Sequence, residues 1–457
     1  MKLKLISIPV ILFFSHLSVL AIEVAKPPID SLKTIKEVAL EGKISGHFRD
    51  YFMSTINNEG LSDHYANATG FELNYESAKF KGFNLGISGS FTFNTFSSNL
   101  NYVDPISNKI TKLETELFDT QDIENKSNVN RLDKLYLNFE TKKIQLLLGR
   151  FIFDSPLINP QDGRMITYSS QGLNANIAIN KVTKLKLAAF NGFSPRGTIK
   201  WYSISDVIGI YSSGVNSDGS PAKYHGNTHA NVVLTTGFET KFGKSLKVDL
   251  WNYLIDNVSN TAYLKTELNL NKGFMLGFEA QQQHQIGNGG NQAPSLAYFN
   301  QKQSFLYGSK IEYQKNSFNI SLNYLKITDA GKFLFPKEFG REQFFVTTPR
   351  GRFEGLSNTD VLMLKSRLNL NKQWGLELNL GKAWLPTYNV SEENKYGASS
   401  YNEIITDVVY VPKTKVLEGL NFKFLYINKI GVDNIPLANQ YYNINYQNIN
   451  FVAEFKF

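Results

Sequence analysis

The C-terminal segment 446–457 alternates apolar and polar side chains almost without interruption. Its apolar residues are Ile449, Phe451, Ala453, Phe455 and Phe457, its polar residues are Asn448, Asn450, Glu454 and Lys456, and Val452 is the one exception. Successive side chains of a β-strand point to opposite faces, so this pattern predicts a strand with one apolar and one polar face. The segment therefore predicts a sheet that separates two very different environments.

The N-terminal segment has the composition of a secretory signal peptide. Lys2 and Lys4 precede a mostly apolar run from Leu5 to Leu20, and Ala21 offers a small residue for cleavage. An uncleaved anchor helix is the alternative, but polar residues interrupt the run, and it is shorter than the roughly 20 residues that a spanning helix needs. We therefore predict a signal peptide over 1–21. With a final strand that ends on Phe457, it indicates an exported outer-membrane barrel.

Composition supports a membrane contact made by strands. The chain has no cysteine, which excludes a disulfide scaffold, a thiolate metal site and a cysteine nucleophile. Aromatic residues make up 13% of the chain, yet the mean hydropathy is only -0.25, and no stretch after the signal segment predicts a spanning helix. Loss of Lys2 and Lys4 with the signal peptide lowers the formal charge from +8 to +6. That excess is mild, and we expect no nucleic-acid partner.

Alternating segments recur along nearly the whole mature chain. In hydrocarbon an unpaired backbone N–H or C=O costs several kcal/mol, so only helices and closed barrels can span a membrane. A barrel needs one apolar residue in two, which keeps its average hydropathy low. In 134–140, Leu135, Leu137 and Phe139 alternate with polar residues and Tyr136, and the same period appears in 264–270, 318–324, 376–380 and 420–426. The period of two predicts transmembrane strands.

Short turns alternate with long loops between these segments. The long stretches are rich in Gly, Asn, Ser and Pro and cover 97–130, 194–228, 286–302, 328–356 and 385–400. The predicted strands begin near residues 42, 68, 83, 132, 143, 171, 183, 230, 244, 260, 273, 303, 316, 357, 374, 401, 416 and 443. The count is about eighteen, and sixteen is the alternative.

The sequence thus predicts an all-β fold: a transmembrane antiparallel β-barrel over 41–457, with short periplasmic turns and long extracellular loops. A periplasmic lead-in over 22–40 precedes it, where Pro27-Pro28 is followed by a short helix-like pattern. A barrel of this size is wide enough to hold a water-filled channel.

The segment 151–165 is a candidate for a loop that folds into the channel. It follows a strong strand, it carries apolar residues such as Phe151 and Leu157, and it brings Asp162 next to Arg164. A loop that narrows the channel is one interpretation, and an extracellular loop packed against its neighbours is the other.

Several short motifs resemble those of the OprD-type outer-membrane porins. They are Leu148-Gly149-Arg150 leading to Pro156-Leu157, then Asp162-Gly-Arg164-Met165, then Gly340-Arg341-Glu342-Gln343-Phe344-Phe345 with Arg350, Arg352 and Glu354, and finally Phe422-Lys-Phe424-Leu-Tyr426-Ile-Asn428 before Asp433. The resemblance covers the mature chain. It implies an eighteen-stranded barrel, a monomer or homotrimer, that admits small solutes such as amino acids, carboxylates or peptides through a narrowed eyelet. It also implies that arginines facing acidic residues line that eyelet.

Arginine is scarce in the chain, which makes its placement informative. Four of the nine arginines fall between 341 and 367. Lys365 and Arg367 share the polar parity of their strand, opposite Leu364 and Leu368, so we expect them to face the lumen. A guanidinium stays charged and its planar fork matches a carboxylate, so such groups can steer ions in a narrow channel. The candidate pore-lining or substrate-steering residues are Asp162, Arg164, Arg341, Arg350, Arg352, Lys365 and Arg367.

An alternative role for these arginines is structural. They can pair with loop carboxylates such as Glu338, Glu342 and Glu354, or bind lipopolysaccharide phosphates at the rim of the barrel. The sequence does not decide between the two roles.

Other groupings do not predict a catalytic or metal site. His225 and His229 form a lone pair without a third ligand nearby, and the glycine-rich stretch 287–290 lacks the strand-to-helix context of a phosphate cradle. Nothing in the sequence places a serine, a base and an orienting acid together. We therefore expect no cofactor and no metal.

The sequence predicts a passive, substrate-biased diffusion porin of the bacterial outer membrane, and not an enzyme. Its cargo would be small hydrophilic solutes, and lipid and lipopolysaccharide would surround it. The alternative is a barrel enzyme of the phospholipase or protease type, which needs a histidine near Ser or Asp in the wall. The histidines in predicted strands are His47 and His284. An adhesin or structural anchor would need an added domain, and no segment is left to form one.

Overall fold

A computed structural model describes residues 34–457 of the chain. The predicted signal peptide over 1–21 and most of the predicted lead-in over 22–40 lie outside these residues. The described part of the lead-in forms helix α1 (Ile35–Leu40), which begins with a capping box at Thr34. The Glu37 amide donates to Thr34 Oγ1 over 3.2 Å, and the Thr34 amide donates to Glu37 Oε2 over 2.7 Å.

The strands and helices follow the predicted order of segments. The strands are β1 (Lys43–Ile56), β2 (His64–Glu76), β3 (Phe83–Ser97), β4 (Val129–Glu140), β5 (Ile144–Phe151), β6 (Ser169–Ala178), β7 (Thr183–Ser194), β8 (Tyr202–Ser203), β9 (Val233–Phe242), β10 (Leu246–Ile255), β11 (Ser259–Asn269), β12 (Phe274–Gln285), β13 (Gln303–Lys315), β14 (Phe318–Ile327), β15 (Thr359–Asn369), β16 (Trp374–Trp384), β17 (Tyr401–Tyr410), β18 (Leu420–Gly431) and β19 (Tyr446–Lys456). The other helices are α2 (Ile204–Val207), α3 (Leu437–Gln440) and five single 3-10 turns at Thr115–Leu117, Asn271–Gly273, Pro294–Leu296, Lys337–Phe339 and Lys415–Leu417.

The sheet is antiparallel and closes on itself. Strands that follow one another in the chain pair with one another, and β1 also pairs with β19, where Phe48 lies opposite Phe455. β7 pairs directly with β9, and β8 adds only two residues opposite Gly192 and Phe193 of β7. The wall therefore has eighteen strands with one short extra strand. This confirms the predicted antiparallel barrel.

Each strand has an exposed, mostly apolar outer face and a face toward the interior. On β19, Phe451 and Phe455 are exposed, whereas Asn448 and Asn450 are buried inside. On β4, Leu135 is exposed in the same way. A closed barrel with an apolar outer surface is the architecture of a bacterial outer-membrane protein, because closure pairs the backbone groups of every strand. None of the helices between residues 34 and 457 is long and apolar enough to cross a membrane.

Long loops pack against the inner wall of the barrel. The loop 152–168 follows β5, and Ser155 Oγ accepts a hydrogen bond of 3.1 Å from Tyr253 on β10. The loop 328–358 follows β14, and Leu334 exchanges two hydrogen bonds with the buried amide of Gln283 on β12, at 2.8 and 3.0 Å. Rings from both the wall and the loops join in one apolar core, in which the Phe193 and Phe339 centroids are 4.3 Å apart.

The wall has a seam where β5 ends early. β4 pairs with β5 only from Leu135 to Glu140, so residues 129–134 of β4 lack a β5 partner. The segment after β7 takes that place, and buried Arg131 joins it to the wall by donating to Ser194 Oγ at 2.8 Å, the Pro195 carbonyl at 3.0 Å and the Thr198 carbonyl at 3.2 Å. Arg131 also forms a 2.7 Å ion pair with Asp133.

Candidate functional site

Two of the segments with candidate site residues meet inside the barrel. The Asn159 side chain in loop 152–168 donates a 2.7 Å hydrogen bond to the Arg341 carbonyl in loop 328–358, and the Gln343 amide donates to the Pro156 carbonyl over 3.0 Å. Gly340 makes this approach possible, because a Cβ at Gly340 would lie 2.6 Å from the Asn159 nitrogen. The same glycine has φ 152°, which other residues rarely adopt.

The two loops also reach the opposite side of the barrel. Arg350 Nε donates to Asn448 over 3.1 Å, and its Nη2 donates to Asn450 over 2.8 Å. Both asparagines lie on the inner face of β19, while the same loop contacts Gln283 on β12. Arg49 on β1 donates a hydrogen bond to the Arg164 carbonyl of the other loop. The loops therefore extend across the interior.

A cluster of charged side chains lies where the loops approach β1 and β19. Arg196 Nη1 is 2.7 Å from Asp162 Oδ2, and Arg350 Nη1 is 3.4 Å from Asp162 Oδ1. Arg164 Nη2 is 2.8 Å from Glu116 Oε2, and Arg196 also contacts Glu116. Three guanidinium groups thus share two carboxylates. We call these five residues the loop charge cluster.

Local backbone geometry aims these side chains at one another. Asp162, Arg164 and Arg350 all have positive φ, at 56°, 42° and 65°. Residues other than glycine adopt this region uncommonly, and such conformations concentrate at ligand clamps and active sites. The tight turn 162–164 presents a carboxylate and a guanidinium in succession.

The carboxylates of the cluster are held ionised. Burial disfavours the charged form of Asp162, but Arg196, Arg164 and Arg350 outweigh it and keep the pKa of Asp162 well below its usual range. For Glu116, burial is again opposed by Arg164 and Arg196, and its pKa is lowered. The acidic charge of the cluster is therefore present at neutral pH.

Arg341 and Arg352 lie on loop 328–358 beside the cluster. Arg352 donates to the Gly340 carbonyl and to Tyr168 Oη, each over 2.9 Å, and lies 3.9 Å from Glu342. Arg341 Nη2 makes a longer contact of 3.4 Å with the Gly351 carbonyl. Neither guanidinium is fully buried.

Lys365 and Arg367 face inward on β15, as the parity of their strand predicts. Lys365 Nζ donates a 2.7 Å hydrogen bond to the Thr347 carbonyl, so it joins loop 328–358 to the barrel wall. Arg367 lies near the short turn at the other end of the strand, where its side chain is 61% exposed and pairs with Glu377 at 3.4 Å. Arg367 is therefore separate from the loop charge cluster.

Some charged residues in or near the cluster carry no recognisable sequence signal. Glu116 lies in the loop 98–128 and Arg196 follows β7, and both join the loop charge cluster. Lys112 is exposed, and the charges that act on it include Glu116, Lys429 and Arg352. Only the three-dimensional approach of these loops brings the residues together, because each is isolated in its own segment.

A second group of residues fixes the outer part of loop 328–358. Lys395 Nζ is 2.9 Å from Glu354 Oε1, and Tyr396 and Tyr298 donate to the same carboxylate over 2.6 and 3.2 Å. Burial opposes the charge on Glu354, but Lys395, Lys337 and the hydrogen bond from Tyr396 together outweigh burial, so the pKa of Glu354 is lowered. These contacts join loop 328–358 to the loops 385–400 and 286–302.

Histidines do not form a recognisable catalytic group. His47 Nδ1 lies 3.9 Å from Glu72, and His64 contacts Tyr441 Oη at 3.0 Å and Ser98 Oγ at 3.4 Å. No carboxylate in the described part of the chain forms a hydrogen bond with the ring of His64 or of His284. No group of three or more His, Asp or Glu residues between 34 and 457 could hold a metal ion.

No protein-family model and no curated protein matches the sequence. Solved structures, however, match over nearly the whole chain. Pseudomonas aeruginosa OccK9 (OpdG) superposes with a TM-score of 0.71 at 12% identity, covering 92% of this chain and 99% of that protein. P. aeruginosa OpdK, solved with vanillate, gives 0.68 at 14% identity over 92% and 99% of the two chains. Acinetobacter baumannii OccAB4 gives 0.68 at 13% identity over 91% and 98%.

These neighbours agree with the motif resemblance noted in the sequence. The Opd and Occ proteins are OprD-type porins, and the similarity extends over the full barrel. At this level of identity it concerns the fold. The chain therefore has the fold of the OprD-type porins, a closed antiparallel barrel of eighteen strands with one short extra strand.

Proposed function

We propose that this protein is an outer-membrane channel for the passive diffusion of small hydrophilic solutes, with a preference for solutes that carry a carboxylate. Amino acids, small carboxylates and small peptides are the solute classes. The loops 152–168 and 328–358 narrow the path, and the charges on them select among solutes. The proposal extends what the fold shows to the solutes and to the residues that contact them.

The observation that supports this preference most strongly is that Arg341 forms no ion pair with the described residues. No carboxylate of the described chain lies within ion-pair distance of its guanidinium, whose nearest acceptor is the Gly351 carbonyl at 3.4 Å. Lys112, Lys365 and Lys429 also form no ion pair with the residues described. A charge on a loop inside a barrel acts strongly on a passing ion, because the surrounding protein screens it less than bulk water does.

The two carboxylates of the loop charge cluster are largely neutralised. Asp162 and Glu116 each contact more than one guanidinium, so little of their charge is left for a solute. We therefore infer that a solute carboxylate is attracted more strongly than a solute amine. A zwitterion would enter with its carboxylate toward Arg341. The carboxylate vanillate, present in the OpdK structure, belongs to the same solute class.

Some of the arginines have a structural role, in which they pair with loop carboxylates. Arg164, Arg196 and Arg350 are engaged by carboxylates, and we assign them to holding the loops in place. Arg352 lies near Glu342 but keeps part of its guanidinium exposed. Arg341, Arg352 and Lys365 are the residues that we expect to meet solutes.

Uptake into proteoliposomes tests the proposal. The full mature chain is refolded into lipid vesicles. These vesicles should take up labelled lactate faster than labelled alanine, and labelled alanine faster than labelled lysine. The ratio of the lactate uptake rate to the lysine uptake rate should be about ten. Arg341→Gln should reduce that ratio several-fold. Arg367→Gln is the matched control, because it removes the same charge near the short turn at the other end of β15. Faster entry of lysine than of lactate, or no uptake by a folded barrel, would refute the proposal.

A further inference from the structure

A separate recess opens on the inner wall at the end of the barrel with the short turns. Its volume is about 490 Å³, and it lies beneath the first residues of loop 152–168. The inner faces of β5, β6 and β7 and the turn 141–143 form its sides. We call it the short-turn recess. It shares no residue with the loop charge cluster or with Arg341, Arg352 and Lys365.

The upper part of the recess is apolar and its rim is cationic. Leu147, Ile152 and Phe153 form the apolar part. Lys142, Lys143 and Lys184 lie around the opening. None of these three lysines forms an ion pair with a carboxylate in the part of the chain that the structure describes.

The acidic groups nearby are mostly engaged elsewhere. Glu140 lines the recess, but its carboxylate is 2.7 Å from Lys79 Nζ. Lys186, a fourth lysine in the lining, is 2.9 Å from Glu239. Asp154 is the other acidic residue in the lining. The recess therefore has an excess of positive charge that its own neighbours do not cancel.

A buried amide in the lining lacks a hydrogen-bond partner. Asn174 is 4% exposed, and its Oδ1 has no donor among the described residues. Its neighbour Asn176 is different, because Asn176 donates a 3.1 Å hydrogen bond to Gln145. A buried acceptor without a hydrogen bond destabilises the protein. A ligand that donates a hydrogen bond to Asn174 should therefore bind more tightly than a ligand without a donor.

We propose that the short-turn recess binds a small carboxylate with an apolar body and a hydroxyl group. The carboxylate lies among Lys142, Lys143 and Lys184, the apolar body contacts Leu147 and Phe153, and the hydroxyl donates to Asn174. The volume is within the range of about 300–1,000 Å³ typical of small-molecule sites. The site would hold a solute on the short-turn side of the loops, and this role in passage rests on the proposed channel function.

Binding of 4-hydroxybenzoate to the refolded full mature chain in detergent tests this directly by equilibrium titration. Ala178→Trp fills the recess without changing its charge and should abolish the recess component of binding, whereas Ala178→Ser should retain it. Lys142→Gln with Lys143→Gln should weaken binding roughly tenfold. Lys244→Gln with Lys272→Gln removes the same charge from two other short turns and should change affinity less than about twofold.

A second comparison examines the unpartnered amide. Benzoate, which lacks the hydroxyl group, should bind several-fold more weakly than 4-hydroxybenzoate, and Asn174→Leu should remove that difference. Equal losses in the two lysine pairs would overturn the proposal, because they would show a diffuse charge effect at the rim. Unchanged binding in a folded Ala178→Trp variant would overturn it too.

These titrations do not depend on conduction. If the barrel fails to conduct but the variants change binding as expected, the proposed channel function is wrong and the recess site stands. If the barrel conducts and the binding pattern is absent, the recess site is wrong and the channel function stands. Heat-dependent gel migration confirms that each variant is folded before titration.

Discussion

The guanidinium of Arg350 lies 3.4 Å from the carboxylate of Asp162, although 188 positions separate the two residues in the chain. This contact joins loop 328–358 to loop 152–168. The same guanidinium donates hydrogen bonds to Asn448 and Asn450 on β19, at 3.1 and 2.8 Å. One side chain therefore connects both inward loops to the far wall of the barrel.

Removal of the shared carboxylate should loosen the inward loops. Asp162→Asn leaves Arg196 and Arg350 without an ionised partner at that position, and we expect local stability to fall by about 2–3 kcal/mol, less than for a fully buried pair because the Asp162 side chain is 20% exposed. Hydrogen exchange of the amides in 152–168 measures this loss.

Asp329→Asn is the control for Asp162→Asn. Asp329 is an exposed carboxylate on loop 328–358, and its removal changes the formal charge equally. Equal exchange rates in the two variants would show that the contact with Arg350 does not hold the loops.

Acid should weaken the same contacts. The folded pKa of Asp162 is below the value of about 3.9 that an unfolded chain has, so its stabilisation is complete above pH of roughly 4 and is lost as the pH falls toward the folded pKa. The pKa of Glu116 is also lowered in the folded protein, so its contribution to stability depends on pH in the same direction. We expect constant loop protection from about pH 5 to 8 and a decline below about pH 4.

The combined variant Glu116→Gln with Asp162→Asn checks the source of that decline. Its loops should be less protected at neutral pH and insensitive to acid over the same range. A decline as steep as in the unchanged protein would assign the acid effect to other carboxylates.

A side chain at Gly340 should separate the two loops. In Gly340→Ala the new Cβ meets the Asn159 nitrogen at 2.6 Å and the Asn159 oxygen at 2.8 Å, so one loop must move. Single-channel recordings should then show more frequent current fluctuations and an altered conductance. Gly243→Ala is the control, since its Cβ meets nothing within 4 Å and the residue also has positive φ. Identical recordings from the two variants would argue against a close loop contact at Gly340.

Arg131 should matter for the integrity of the wall. Arg131→Met removes the donors that join β4 to Ser194, Pro195 and Thr198, and leaves Asp133 without its partner. Loss of one partner of a buried pair costs about 3–5 kcal/mol, so the temperature of the folded-to-unfolded gel shift should fall. Arg367→Met, at a position 61% exposed, should leave that temperature nearly unchanged. A similar temperature for both variants would show that the seam does not need Arg131.

The barrel could be predicted from sequence because its strands repeat one simple pattern. β1 begins at Lys43, close to the predicted 42, and β13, β16 and β17 begin at the predicted residues 303, 374 and 401. β18 begins at Leu420 and not near 416, because Lys415–Leu417 forms a 3-10 turn that lengthens the connection. Alternation fixes the faces of a strand well and fixes its ends less well.

The charged site was only partly predictable. The short spacing of Asp162 and Arg164 in one turn can be read from the sequence, and so can the inward parity of Lys365. Glu116 and Arg196 could not be found that way, because their contacts join separate loops and leave no local pattern. The pairing of Arg350 with Asp162 has the same origin, whereas the predicted Arg367 lies apart with Glu377.

The reversal potential of the refolded mature chain in a planar bilayer under a KCl gradient is the most direct test of an anion-biased channel. With Arg341 and three lysines left without carboxylate partners in the described chain, the potential should shift toward the chloride equilibrium value, with discrete ohmic steps. A shift toward the potassium value would contradict the assigned role of Arg341, and a folded barrel without conductance would contradict the channel itself.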